Sequence, residues 1–165
     1  MNAKLTAGAI LMALSVTACS SGDGSDDELL EQYKAGVEVI QGLADGYVAD
    51  ASTSAAVSEV ASHQSTYEAD MEVVLGDLEH ALEDMGGCQM GDGAGRVDEA
   101  MASLDLIHGS MMAMLDNHVS HTNVEDCFSA AEAHELEVTD EVGALEAHHD
   151  SWQEMGMDCG ASHNE

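Results

Sequence analysis

The chain has no proline, five aromatic side chains (one Trp, three Tyr, one Phe) and three Lys and Arg in all, against 33 Asp and Glu. Each shortage excludes something. Without proline, no helix is interrupted by a missing N–H, so glycine and capping side chains must end the elements. With so few aromatic residues and few β-branched alternations, strand signals are nearly absent. Scarce aromatics also leave little flat apolar surface for packing haem, and the Cys-x-x-Cys-His attachment sequence is missing. With a net charge of −30, nucleic acid is excluded as a partner, because phosphate contacts are made by Lys and Arg. Direct adhesion to an anionic membrane surface is disfavoured for the same reason. Two readings of the acidity stand side by side: a saline medium, and a surface that collects cations. The first is favoured. Either way, self-repulsion should destabilise the compact state at low salt.

What is present is helical periodicity. Four amphipathic segments are expected. The first spans about 27–50, with Leu30, Tyr33, Val37, Ile40, Ala44 and Tyr47 on one face. The second spans about 53–85, with Val57, Val60, Tyr67, Met71, Val74, Leu78 and Met85. The third spans about 95–121, with Val97, Met101, Leu104, His108, Met111, Leu115 and His118. The fourth spans about 123–155, with Phe128, Ala131, Val138, Val142, Leu145 and Trp152. Asn123 followed by Val124-Glu125-Asp126 is a helix start: a capping amide, then acids against the positive end of the dipole. The Gly-rich stretch 86–95 is the clearest loop. Short connections between amphipathic helices predict an all-α fold, an antiparallel up-down four-helix bundle.

The N-terminus carries a different signal. Lys4 precedes an apolar run from Leu5 to Leu14, which is the charged and hydrophobic order of a secretory signal. The run is shorter than the roughly 20 residues that span a bilayer. It ends in Val16-Thr17-Ala18-Cys19. This resembles a bacterial lipobox, in which an aliphatic residue and small residues precede a cysteine. The resemblance covers residues 1–19 only. It implies removal of 1–18, acylation of Cys19 and anchoring to a membrane, each buried CH₂ contributing about 0.8 kcal/mol. The organisation that follows is a signal peptide (1–18), a lipidated acidic tether (19–28) and a bundle (29–165). The tether has no apolar residue between Ser20 and Glu28 and should lift the domain off the membrane. Its acids form too short a ladder for an EF-hand calcium loop. The expected place is the cell envelope. Ser20 after the lipid cysteine resembles an outer-membrane sorting pattern, which would put the domain in the periplasm or at the exterior of a Gram-negative cell.

Three cysteines remain beyond Cys19, in a compartment where disulfides persist. In an up-down bundle, Cys88 after the second helix and Cys159 after the fourth fall at one end, so a Cys88–Cys159 disulfide is expected. Cys127, in the first turn of the fourth helix, is left unpaired. The chain also has nine His and 11 Met. Cys127, His134, Glu141, His148 and Met155 form a seven-residue row bordering the core of the fourth helix, while His108 and His118 fall on the apolar stripe of the third. If the second and third helices turn back near residue 90 and the third and fourth near 122, His63, His118 and Cys127 lie level. His121 lies within reach of that layer, and His108 and His134 form a layer beside it. Imidazoles and a thiolate suit copper or zinc. The spacing His63 to Cys88 recurs from His134 to Cys159, a faint sign of a doubled helical hairpin. No nucleotide-binding loop, nucleophile elbow or properly spaced pair of Glu-x-x-His motifs occurs. The leading expectation is therefore a non-enzymatic, envelope-facing metal-binding lipoprotein for copper or zinc, whose protein partner the sequence does not name. Its rival is a structural or interaction lipoprotein with incidental histidines and a salt-adapted surface.

Overall fold

A computed structural model of the protein describes residues 26–88 and 94–156. The segment expected to be a signal, Cys19, most of the expected tether and Cys159 lie outside the described residues. Within them the chain is all-helical, with five helices packed against each other: α1 (Asp26–Thr53), α2 (Val57–Gly86), α3 (Ala94–Leu115), the single turn α4 (Asn117–Ser120) and α5 (Val124–Met155). Helix α1 packs on α2 and α5, and α3 packs on the same two; α2 and α5 touch only marginally. No helix of the described residues is long and apolar enough to cross a membrane.

The stripes read from the sequence become the core. Leu30, Tyr33, Val37, Ile40, Ala44 and Tyr47 are all buried along α1, as are Val60, Tyr67, Met71, Val74, Leu78 and Met85 along α2. Helix α1 begins at Asp26, inside the stretch expected to be tether. Glu28 then stands in its first turn, where the helix dipole favours negative charge. At its other end, the hydroxyls of Ser52, Thr53 and Ser54 donate to the carbonyls of Ala49 and Asp50. These bonds satisfy carbonyls that have no partner within the helix, and the chain turns there without glycine. The start of α2 is closed by Glu59, whose carboxylate accepts the Ala55 N–H at 2.7 Å. Asn123 caps α5 as expected, its side-chain oxygen accepting the Asp126 N–H at 2.9 Å.

The third segment departs from expectation. The periodicity predicts one helix to about His121, but α3 ends at Leu115. Asp116 turns the backbone to φ −86°, ψ 0°, and the separate turn α4 follows. The side chain that profits is Asn117, buried at 5 % exposure, whose amide donates to the Cys127 carbonyl at 2.8 Å. The stripe itself also differs. His108 faces solvent, and the fully buried residue is its neighbour Ile107. From Leu104, steps of three and four reach Ile107 and Met111, and burying Ile107 in place of an imidazole avoids an unpaired polar group.

One close approach is built on glycine. A Cβ placed on Gly36 of α1 would lie 2.8 Å from both Cγ and Cδ2 of Leu78 on α2. Leu78 is fully buried and has little room to retreat. Glycine in a helix interior costs up to about 1 kcal/mol relative to alanine, and here it lets two helices meet. Gly36→Ala should therefore lower stability by about 1–2 kcal/mol despite its better propensity, overpacking outweighing the gain. Gly42→Ala, where nothing lies within 4 Å of the added atom, should be neutral or stabilising. Urea unfolding of the two variants checks the contrast; equal effects would contradict it.

Candidate functional site

The candidate ligands gather where the end of α1, the start of α2, the end of α3 with α4, and the start of α5 come together. Their axial register is close to that expected. Gln64, next to His63, donates to the Asp116 carboxylate at 2.6 Å. Asn117, next to His118, reaches the Cys127 carbonyl. The side chains that meet are thus sequence neighbours of the predicted ligands. One residue along a helix is about 100° of rotation, which is enough to replace a ligand by the residue beside it.

Each candidate has its own partner or setting. His63 is half-buried, its Nδ1 3.8 Å from Oδ2 of Asp50 on α1. The same oxygen accepts the Tyr67 hydroxyl at 2.8 Å. His118, on α4, has Nδ1 3.0 Å from the Leu115 carbonyl. A carbonyl can only accept, so Nδ1 carries a proton and points away from any ligand role, leaving Nε2 as the ring's other nitrogen. The Tyr47 hydroxyl donates to that carbonyl too, at 3.4 Å. Its pKa is pushed up to about 12, chiefly by burial and then by Cys127 and Asp116. Tyr47 and Tyr67 pack edge to face with centroids 5.5 Å apart. Cys127 is a free, fully buried thiol. Burial and then the charge of Asp126 push its pKa up, which disfavours the thiolate that a soft metal would need.

The remaining candidates are His121, His134 and His108. His121 is half-buried just beyond α4. His134 on α5 sits 2.9 Å from Oε2 of Glu137, which also accepts the Ser110 hydroxyl of α3 at 3.0 Å. These two bonds, the histidine's first, hold the Glu137 carboxyl below its usual range. His108 is exposed on α3, away from the core layer assigned to it. Among the described residues, no three His, Cys, Asp or Glu side chains form a group able to hold a metal ion. Cys88 follows the end of α2 and is disulfide-bonded; Cys159, the partner expected for it, lies outside the described residues.

A second polar cluster, only partly foreseen, lies in the last turns of α5. His149 is buried against Tyr33, and Trp152 is fully buried. The Tyr33 hydroxyl donates to the Leu145 carbonyl at 3.2 Å, and the Tyr33 ring meets Trp152 edge to face at 5.3 Å. His148 stacks on Trp152 with centroids 5.8 Å apart. Burial lowers the His148 pKa, opposed by Glu99 and aided by Arg96. The burial of His149 was readable: Val138, Val142, Leu145, His149 and Trp152 continue one stripe in steps of three and four. The sequence reading followed the seven-residue row through His148 and passed over its neighbour. Comparisons with protein-family models, with curated proteins and with solved structures found no match to this chain.

Proposed function

We propose that the chain is a non-enzymatic, lipid-anchored structural or interaction module of the cell envelope: an up-down helical bundle with an acidic, salt-adapted surface, held to the membrane through Cys19. One observation carries this reading over the metal-handling one. Around the residues singled out as ligands, polar groups form bonds that tie the helices together. Asp50 of α1 joins Tyr67 and His63 of α2. Asn117 of α4 joins α5 through the Cys127 carbonyl. Ser110 of α3 joins Glu137 and His134 of α5. Bonds of this kind account for the polar groups at the core border without invoking an ion, Asn117 Oδ1 being one atom there that stays buried and unpaired.

Copper or zinc binding is the second reading. In its favour, Nε2 of His118 is not the nitrogen engaged by the Leu115 carbonyl, and the free thiol of Cys127 belongs to the same end of the fold. That reading would require His63, His118 and Cys127 to turn toward a common point, with His121 or His134 assisting. The anchor has its own test. Replacing the proposed lipid-bearing thiol by Cys19→Ala should release the mature domain from membranes, because no helix of the described residues is long and apolar enough to hold it there. Fractionation after a high-salt wash checks this; a variant that stays with the membrane would show that lipid is not the anchor.

A further inference from the structure

Between α1 and α5 a cavity of about 180 Å³ opens to solvent, lined by Tyr33, Lys34, Val37, Glu146, His149 and Asp150. Its floor is apolar and aromatic. Val37 and Tyr33 are buried there, and the Tyr33 and His149 rings lie parallel to within 2°, with centroids 6.4 Å apart. The buried His149 ring is oriented by its Nδ1, 3.3 Å from the Asp150 carboxylate. The two walls carry opposite charge. Lys34 comes from α1, and Glu146 and Asp150 come from α5.

The two walls do not neutralise each other. Among the described residues, no carboxylate lies within 4.0 Å of the Lys34 ammonium. This is unexpected in a chain with 33 acids and three Lys and Arg. A cation and an anion facing one cavity without touching leave room for a molecule that answers both. A simple anion would be repelled by the protein's overall field, and a simple cation would meet Lys34. A cavity of this volume displaces roughly six waters at about 30 Å³ each, the scale of a small amino acid.

We propose that this cavity binds a small zwitterion, a free amino acid or a betaine, with its carboxylate toward Lys34 and its cationic nitrogen toward Glu146 and the Tyr33–His149 floor. Aromatic faces and carboxylates both attract such a nitrogen, the former through the ring quadrupole. His149, held by Asp150, shapes the floor.

The test uses the full chain purified in detergent micelles at constant ionic strength. Trp152 is the chain's one tryptophan, and it touches Tyr33, so its fluorescence reports on the cavity floor. Glycine betaine and L-proline are the probes; tetramethylammonium and acetate stand for their two halves. Saturable quenching or enhancement is expected with at least one zwitterion, and not with either half over the same range. Lys34→Ala and Glu146→Gln alter exposed side chains, so both should keep the helical circular dichroism, and each should weaken binding about tenfold. Three results would overturn the proposal: no saturable change with either zwitterion, affinity unaffected by Lys34→Ala, or tetramethylammonium matching betaine. The last would make the cavity a plain cation site in an acidic protein.

Discussion

The melting temperature of the metal-free protein should rise by about 10 °C between low-salt buffer and molar NaCl, where screening contracts from about 30 Å to about 3 Å. The cause is visible in the composition: 33 acids against three Lys and Arg. The structure does little to offset it. Every ion pair among the described residues uses a histidine as its cation, and each requires that histidine to be protonated. One carboxyl pair even meets across α1 and α5. Burial raises the Glu135 pKa first, and Asp45, through charge and a hydrogen bond, raises it further. Glu135 is thus a carboxyl whose ionised form is destabilised by folding. Its contribution runs opposite to the usual carboxylate: it disfavours the fold where it must ionise and ceases to do so as pH falls below its raised pKa. For Glu135 alone, mild acidification acts in the same direction as salt; His148, whose pKa burial lowers, acts against it. Thermal melts across NaCl concentration check the main effect, and a flat or falling melting temperature would contradict it.

Trp152→Ala should cost about 3–5 kcal/mol, the largest single-residue loss in the molecule. Trp152 is fully buried, packed edge to face on Tyr33 and stacked with His148. Its removal would open a cavity bordered by residues already fixed by their own bonds, such as Tyr33 on the Leu145 carbonyl. Trp152→Phe makes a sharper comparison. The indole Nε1 is buried with no hydrogen-bond partner, as is Nδ1 of His148. Phenylalanine keeps most of the contact and removes an unpaired donor, so its loss should stay below about 2 kcal/mol. Denaturant unfolding of both variants provides the check. A cost under about 1 kcal/mol for Trp152→Ala would show that the end of α5 contributes little to the cooperative core.

How far the sequence reached differs from one helix to the next. In α1 the six-residue stripe from Leu30 to Tyr47 was legible without error, because its apolar residues recur at three and four with no polar competitor. In α3 two adjacent stripes competed. Both the one through His108 and the one through Ile107 recur at three and four; only the second had a side chain that could be buried without a partner, and burial decided. The break at Asp116 was not legible. Asp116-Asn117 carries no proline or glycine, and the event that rewards the break is a bond from Asn117 to α5, a tertiary contact.

The candidate site shows the same division. Axial level was readable, since Gln64 does meet Asp116 and Asn117 does meet Cys127. Azimuth was not. Rotation of a helix by one residue decides whether His63 or Gln64 faces a neighbour, and that rotation is set by packing of the whole core. Local pattern does not contain it. The proposed lipid anchor rests on residues 1–19 alone and owes nothing to the fold.

The central claim is that the polar groups around His63, His118 and Cys127 hold helices together, and that these three residues do not hold an ion. The measurement that meets it most directly is a titration of Cu(I) and Zn(II) against the purified protein, followed by thermal melts with and without each metal. Alongside run the single variants His63→Ala, His118→Ala and Cys127→Ser. The account predicts no stoichiometric uptake and no upward shift, with each variant less stable than the parent whether or not metal is present. A site that binds the folded form adds about 2.7 kcal/mol when ligand stands at a hundredfold its dissociation constant. One metal bound per chain, with a stabilisation of that size that disappears in all three variants, would contradict the account and establish the metal-handling reading in its place.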